Sequence, residues 1–371
     1  GPWMFPETMT RVLAPLLALS LVLSAATPAE AARQRAVRRA AEAPIPASEA
    51  DRLAGEAVAS GIPGISIAIA HRDSRFARAY GMTLPTGGTA ATPETIFQIA
   101  SLTKQFTAAA ILALEEDGLL SVNDPITRWI PELDLGTRTV TLHHLLTHTS
   151  GLRTEILVDP YAPVAQADLI RLIGIRGFAT EPGTAEAYNN SGYWLLGVAI
   201  ERVTGLSYAK VLEQRFFVPL GLTRTAFCGT GPAVPVPAGS VEVFGHATAT
   251  QPIDMSLAGA AGGICSTPSD LVTWSRALAG GAAISPASYE KMISPARLQN
   301  GAVLDYGYGL GLGSIEYNFA TSHAGSIAGF HSYLIHIPGK GITVAVLANA
   351  VSASRSWARD IARALAAAMV E

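Results

Sequence analysis

The placement of the alternating segments restricts this fold more than any other feature of the chain. Gly64-Ile-Ser-Ile-Ala-Ile-Ala70 and Arg75-Phe-Ala-Arg-Ala-Tyr80 alternate as paired strands behind a helix expected over 48–59. Past a short strand-like run, Thr95-Ile-Phe-Gln-Ile-Ala100, the sequence to about 225 has mostly helical spacing, punctuated by Gly, Pro and capping residues. Strand patterns return at 304–312, 320–325, 329–337 and 341–349, the last three spaced as a meander, and an amphipathic helix from Ser352 to Val370 closes the chain. Early and late strands around a helical insertion predict an α/β fold of the α+β type. One antiparallel sheet flanked by helices would be built from both ends, about 48–115 and 260–371. A mostly helical lobe, about 116–259, would lie beside it and leave a cleft between the two.

At 371 residues, 49% apolar and 15% charged, the chain can bury a large core in one or two domains. A net charge of −3, with no basic stripe beyond Arg33, Arg35, Arg38 and Arg39, argues against a nucleic-acid partner. Residues 9–31 combine Arg11, an apolar stretch of about 15 residues and an Ala29-x-Ala31 ending, the parts of a bacterial signal peptide. The apolar run is short for a membrane span. Export to a periplasm with cleavage after Ala31, and no stable span afterwards, is expected. Gly1-Pro2-Trp3 reads as a vector-derived remnant, and 32–47, rich in Arg, Ala and Pro, as a flexible leader. Cys228 and Cys265 could pair in an exported chain, but a core of this size needs no staple, so two buried free thiols are the favoured expectation. His143, His144 and His148 lack the glutamate of the zinc-protease motif and read as structural histidines, so no metal is expected.

Chemistry enters through the lysines. Four occur, and three stand three residues after a serine: Ser101/Lys104, Ser207/Lys210 and Ser288/Lys291. A Ser-x-x-Lys pair at a helix start puts hydroxyl and amine within one turn, where an unprotonated lysine could take the serine's proton. Ser207 and Ser288 open amphipathic stretches and read as caps on wet helices. Ser101 ends an apolar strand-like run and opens a helix that is apolar almost all round, so Lys104 is desolvated in its first turn and its pKa falls towards that of a usable base.

Two further stretches fall where the cleft would be. In Ala187-Tyr188-Asn189-Asn190-Ser191-Gly192, Tyr188 could share the proton of Ser101 and Asn190 could donate to a substrate carbonyl. In Thr321-Ser-His323-Ala-Gly325-Ser326, Gly325 could admit a substrate backbone, and the amide of Ser326 could join that of Ser101 at an oxyanion.

Ser101-Leu-Thr-Lys104, Tyr188-Asn-Asn190 and His323-Ala-Gly325, in that order, resemble the three signatures of the penicillin-recognising serine hydrolases. That superfamily includes class C β-lactamases, D-Ala-D-Ala carboxypeptidases, D-aminopeptidases and family VIII carboxylesterases. The resemblance covers roughly 48–370 and includes 142–152, 217–222 and 260–271. It implies a serine β-lactamase-like fold and an acyl-enzyme on Ser101. Lys104 and Tyr188 would manage the proton, the amides of Ser101 and Ser326 would hold the oxyanion, and no cofactor is required. The chain has no Gly-x-Ser-x-Gly elbow, which disfavours the α/β-hydrolase triad.

His323 stands where many relatives in the superfamily have lysine, and loss of that fixed charge weakens the case for a carboxylate-bearing substrate. A small-molecule ester, amide or peptide is therefore expected, hydrolysed by an esterase or D-amidase/peptidase. The alternatives are a β-lactamase or D-Ala-D-Ala carboxypeptidase, and a penicillin-binding sensor that acylates without turnover. The sequence leaves the oligomeric state open.

Overall fold

The computed structural model describes residues 44–370, together with 27–30 and Arg33. The chain divides into Gly1–Ala43 and Pro44–Glu371. Most of the expected signal segment and of the leader lies outside the described residues. Within the first unit, the Glu30 N–H donates to Thr27 Oγ1 at 3.2 Å.

The second unit contains helices α1 (Ala47–Ala59), α2 (Thr103–Glu116), α3 (Leu142–Leu146), α4 (Gln166–Arg176), α5 (Asn190–Thr204), α6 (Tyr208–Leu212), α7 (Met255–Gly262), α8 (Pro268–Ala279), α9 (Pro286–Met292) and α10 (Trp357–Val370). Its strands are β1 (Gly64–His71), β2 (Ser74–Gly81), β3 (Phe97–Gln98), β4 (Ala226–Phe227), β5 (Ser240–Val243), β6 (His246–Ala249), β7 (Ile264–Ser266), β8 (Gly311–Ile315), β9 (Asn318–Ile327), β10 (Phe330–Ile337), β11 (Ile342–Ala348) and β12 (Ala350–Ser352). Six of them form one sheet in the order β2-β1-β11-β10-β9-β8, antiparallel throughout. The two ends of the chain do meet in it, since Ile67 lies opposite Val346.

Alternation explains the layering. Ile65, Ile67 and Ile69 of β1 join Val344 and Val346 in a core closed by α1 and α10, whose Leu53, Trp357, Ile361 and Leu365 recur at helical spacing. The intervening Ala68, Ala70, Ala345 and Leu347 belong to a larger core shared with α2, α5 and α8. With helices on both faces, β1 and β11 are buried along their whole length, which is why they read as nearly continuous apolar runs.

The structure departs from the sequence reading in several places outside the site. The strand expected over 304–312 runs over Gly311–Ile315 instead, because the Gly307 N–H donates to the Leu310 carbonyl at 2.9 Å and Tyr306 bridges back to Gly311, turning the chain. The closing helix starts at Trp357 rather than Ser352, because Ala350–Ser352 pairs in parallel with Ser240–Val243. That partner strand belongs to a hairpin inside the segment read as the helical lobe.

The free-thiol expectation is also overturned. Cys228 and Cys265 form a disulfide with their Cα atoms 5.0 Å apart. A small sheet, β3-β7-β4, pairs Ala226 with Cys265 and brings the Cys228 N–H to the Gly263 carbonyl at 2.8 Å. Proximity across 37 residues is a product of this pairing and has no local sequence signal.

Closing a loop of that length restricts the unfolded chain by about 3–4 kcal/mol in chain-entropy terms. The double variant Cys228→Ser/Cys265→Ser should therefore unfold at a clearly lower urea midpoint, and dithiothreitol should lower the midpoint of the parent chain but not of the variant. Equal midpoints would remove the disulfide from the list of stabilising features.

Candidate active site

Ser101 sits in the 3₁₀ turn Ala100–Leu102, between β3 and α2. Its predecessor Ala100 is held at φ 51°, a left-handed conformation that costs energy in a residue with a Cβ. Packing holds it there. Ser332 Oγ donates to the Ile99 carbonyl at 2.8 Å, and β9 presses Gly325 so closely on the turn that a Cβ at that glycine would stand 2.5 Å from the same oxygen. The space that the sequence reading assigned to a substrate backbone is thus occupied by Ile99 and Ala100.

Lys104 has no exposed surface, although α2 begins only one residue before it. Its Nζ lies 2.9 Å from Ser101 Oγ, 2.8 Å from Asn190 Oδ1 and 2.9 Å from the Ala261 carbonyl oxygen. Burial holds its pKa well below that of an ordinary lysine, which favours the neutral amine. A neutral amine has two protons and one lone pair. The carbonyl of Ala261 and the amide oxygen of Asn190 can only accept, so they take the two protons, and the lone pair is left for the Ser101 hydroxyl.

Tyr188 stands over this amine, with Nζ 4.8 Å from its ring centroid. The residue as a whole is 46% exposed, yet burial pushes its phenol up to about 12 against the opposing effect of a hydrogen bond with Ser101. The phenol therefore keeps its proton at neutral pH.

The two adjacent asparagines divide their tasks. Asn189 is the N-cap of α5: its Oδ1 accepts from the Gly192 N–H at 3.3 Å, and its Nδ2 donates to the carbonyls of Leu152 and Arg153. This fixed cap presents Asn190, the first residue of the helix, to the cleft.

His323 is 9% exposed. Its Nδ1 lies 2.6 Å from the Ala324 carbonyl, so that nitrogen carries the proton, and Nε2 accepts from the Tyr306 hydroxyl at 2.9 Å. Burial pushes the imidazole down to about 4. It is neutral, as its replacement of a lysine suggested, and supplies no charge. Ser326 lines the cleft with Ser101 and Asn190.

His148 and Tyr306 were not singled out for the site by the sequence. His148 accepts the Asn189 N–H at Nδ1, 3.0 Å away, and its ring lies 4.3 Å from that of Tyr188. The loop reaches this position through φ 59° at His148, a backbone feature that no side-chain pattern announces. The neighbouring histidines are committed elsewhere, His143 Nδ1 to the Tyr308 hydroxyl at 2.7 Å and His144 Nδ1 to the Thr141 N–H in a capping box. Among the described residues no group of three or more metal-ligating side chains occurs.

The other Ser-x-x-Lys pairs stay outside. Ser207 caps α6 by accepting the Lys210 N–H, and Lys210 pairs with Glu213 in solvent. For α9 the cap is Ser285 rather than Ser288, whose N–H it accepts, and Lys291 reaches Glu115.

The cleft has a volume of about 300 Å³. Ser101, Thr154, Asn190, Ser191 and Ser326 give it polar groups, the other walls are apolar, with Ile156, Leu169 and Trp194 among them, and none of the described residues lining it bears a charged side chain.

His323 also makes a stability prediction. Its pKa is about 4 folded and about 6.5 unfolded, so between those values the unfolded chain binds more protons. The associated stability is present above about pH 6.5 and is lost as pH falls to 4, about 3 kcal/mol in all. Urea midpoints measured from pH 7.5 to 4.5 should fall less steeply in His323→Asn than in the parent. Parallel slopes would show that this imidazole is not buried neutral.

Comparison with known proteins agrees with this geometry. The β-lactamase family profile matches residues 50–369. A penicillin-binding protein of Bacillus subtilis (strain 168) is 33% identical over 276 residues, 68% of this chain and 60% of its own length. The D-aminopeptidase of Gluconobacter oxydans (strain 621H) is 28% identical over 289 residues, 75% of this chain and 53% of its own. The chain thus spans between half and two thirds of the length of these curated relatives. Among solved structures, the D-amino acid amidase of Ochrobactrum anthropi SV3 superimposes with a TM-score of 0.75 at 25% identity, covering 87% of this chain and 96% of the amidase. The octameric penicillin-binding protein homologue from Pyrococcus abyssi gives 0.74 at 28%, covering 86% and 77%. A fold shared along nearly the whole second unit, with the serine and its buried lysine at the cleft, leads to one assignment: the chain belongs to the β-lactamase family and has the fold of its members.

Proposed function

We propose that the protein hydrolyses an uncharged carboxylic ester, or a comparable amide, through an acyl-enzyme on Ser101. The observation that carries this reading is the hydrogen-bond pattern of Lys104, whose lone pair is left for the Ser101 hydroxyl. Ser101 Oγ attacks the carbonyl carbon and its proton passes to Lys104 Nζ. Amides of Ser101 and Ser326 hold the oxyanion, and the Nδ2 of Asn190 donates to the acyl portion of the substrate. The tetrahedral adduct expels the alcohol or amine, which takes a proton from Tyr188, and Lys104 returns one to the phenol. Water then attacks the Ser101 ester, and the acid leaves with the enzyme regenerated.

A phenol near 12 suits the acid in this division and not the base. The neutral His323 and the uncharged cleft lining give a substrate carboxylate no fixed partner, which weighs against β-lactams and D-Ala-D-Ala peptides. A second reading, hydrolysis of a D-amino-acid amide, is favoured by the likeness to a D-amino acid amidase and a D-aminopeptidase. Export is part of the proposal and rests on the sequence of residues 9–31; among the described residues no helix is long and apolar enough to cross a membrane.

Turnover of p-nitrophenyl butyrate should fall about 10³-fold or more in Ser101→Ala, with the circular dichroism unchanged. Unchanged turnover would overturn the assignment of the nucleophile. Lys104→Arg replaces the neutral amine by a guanidinium that stays protonated and offers no lone pair, so most activity should be lost, whereas Ser207→Ala should retain the parental rate. A panel of the butyrate ester, D-alanine amide, a D-Ala-D-Ala peptide and a cephalosporin separates the readings: preference for D-alanine amide installs the second, and a persistent Ser101 adduct with the cephalosporin by mass spectrometry indicates a sensor. N-terminal sequencing of protein recovered from a periplasmic fraction should begin at Ala32, and an intact Met9 segment there would rule out cleavage.

A further inference from the structure

We infer that Trp194 is the wall that limits acyl length in this site, separating the cleft beside Ser101 from a second chamber that the substrate does not enter. The inference rests on the proposed acyl-enzyme at Ser101. Trp194 belongs to the first full turn of α5, four residues after Asn190, and is 7% exposed. It lines the cleft together with Ile156, Leu169 and Leu257. It also lines a chamber of about 200 Å³ walled by Val164, Val198, Tyr208, Phe227 and Met255. Glu201 and Gln166, hydrogen-bonded to each other at 2.8 Å, also line that chamber.

Two features hold the indole in place between these spaces. Its Nε1–H donates to the Ser256 carbonyl at 2.9 Å. Against the same Cδ1–Nε1 edge lies Gly259, the kink of α7 at φ 45°, where a Cβ would stand 2.5 Å from Trp194 Cδ1 and 2.9 Å from Nε1. A side chain at 259 would therefore displace the ring, and the backbone conformation there already excludes one. The kinked segment supplies lining to both spaces, with Leu257 and Ala258 on the cleft and Ser256, Gly259 and Ala260 on the chamber. A large, well-held aromatic ring between the cleft and this partly polar chamber, with no charged group on the cleft side, sets a steric limit on an uncharged alkanoyl chain.

The test compares kcat/KM across p-nitrophenyl esters from acetate to decanoate. In the parent chain the value should decline once the acyl chain meets the indole. Trp194→Ala should join the two spaces and raise the decanoate-to-butyrate ratio by about tenfold or more, at roughly fourfold for each methylene newly buried. Val164→Phe, which fills the chamber, should leave the ratio unchanged alone and cancel the gain when combined with Trp194→Ala. A folded Trp194→Ala with the parental ratio, or a gain that Val164→Phe leaves intact, overturns the inference. Should Trp194→Ala fail to fold, Trp194→Leu carries the same test with a smaller rise, and an unchanged ratio there is equally fatal. A parent chain that hydrolyses no ester and forms no Ser101 adduct with a fluorophosphonate would instead overturn the acyl-enzyme reading itself.

Discussion

An amine with no exposed surface, at the second position of a helix buried along nearly all its length, has to be reconciled with the cost of removing an ammonium from water. Lys104 meets that cost by losing its proton and placing its remaining hydrogens on acceptors from two distant elements, Asn190 at the start of α5 and Ala261 at the end of α7. Three separate parts of the chain are thereby tied to one nitrogen. The strained Ala100 turn, the Asn189 cap and the kink at Gly259 can each be understood as what is needed to bring their neighbours to it.

The sheet supplies the rigidity behind this arrangement. β1 and β11 come from opposite ends of the chain and are buried on both faces. β9 carries His323, Gly325 and Ser326 on a strand whose register with β10 is continuous from Thr321 to Ile327. Because β9 is pressed on the Ile99–Ala100 backbone at a position without a side chain, the sheet directly shapes the turn that carries Ser101. Glycine at 325 thus serves the protein's own packing.

Much of this was legible in the sequence because it is written in local patterns. Ser101 and Lys104 stood out through the all-apolar helix that follows them, and Ser207 was recognisable as a cap because a capping residue acts within its own turn. The strands at 64–71 and 342–348 were visible through composition. What escaped lay in long-range pairing or in backbone turns that side-chain patterns do not mark. The Cys228–Cys265 bond depends on a small sheet that no single segment implies, the turn at 307–310 on hydrogen bonds within a run that reads as a strand, and the shift of the cap from Ser288 to Ser285 on where the helix begins.

The sequence alone therefore determined the class of fold, the family resemblance and the residues that could react, since those follow from periodicity, composition and three short motifs. Tertiary structure decided their states. Whether Lys104 holds a proton, which nitrogen of His323 carries one, and what occupies the space beside Gly325 depend on surroundings that only folding assembles; Lys104 draws its two acceptors from 86 and 157 residues away. Desolvation and hydrogen-bond partnership are properties of a folded environment, so no run of letters around a residue could have supplied them.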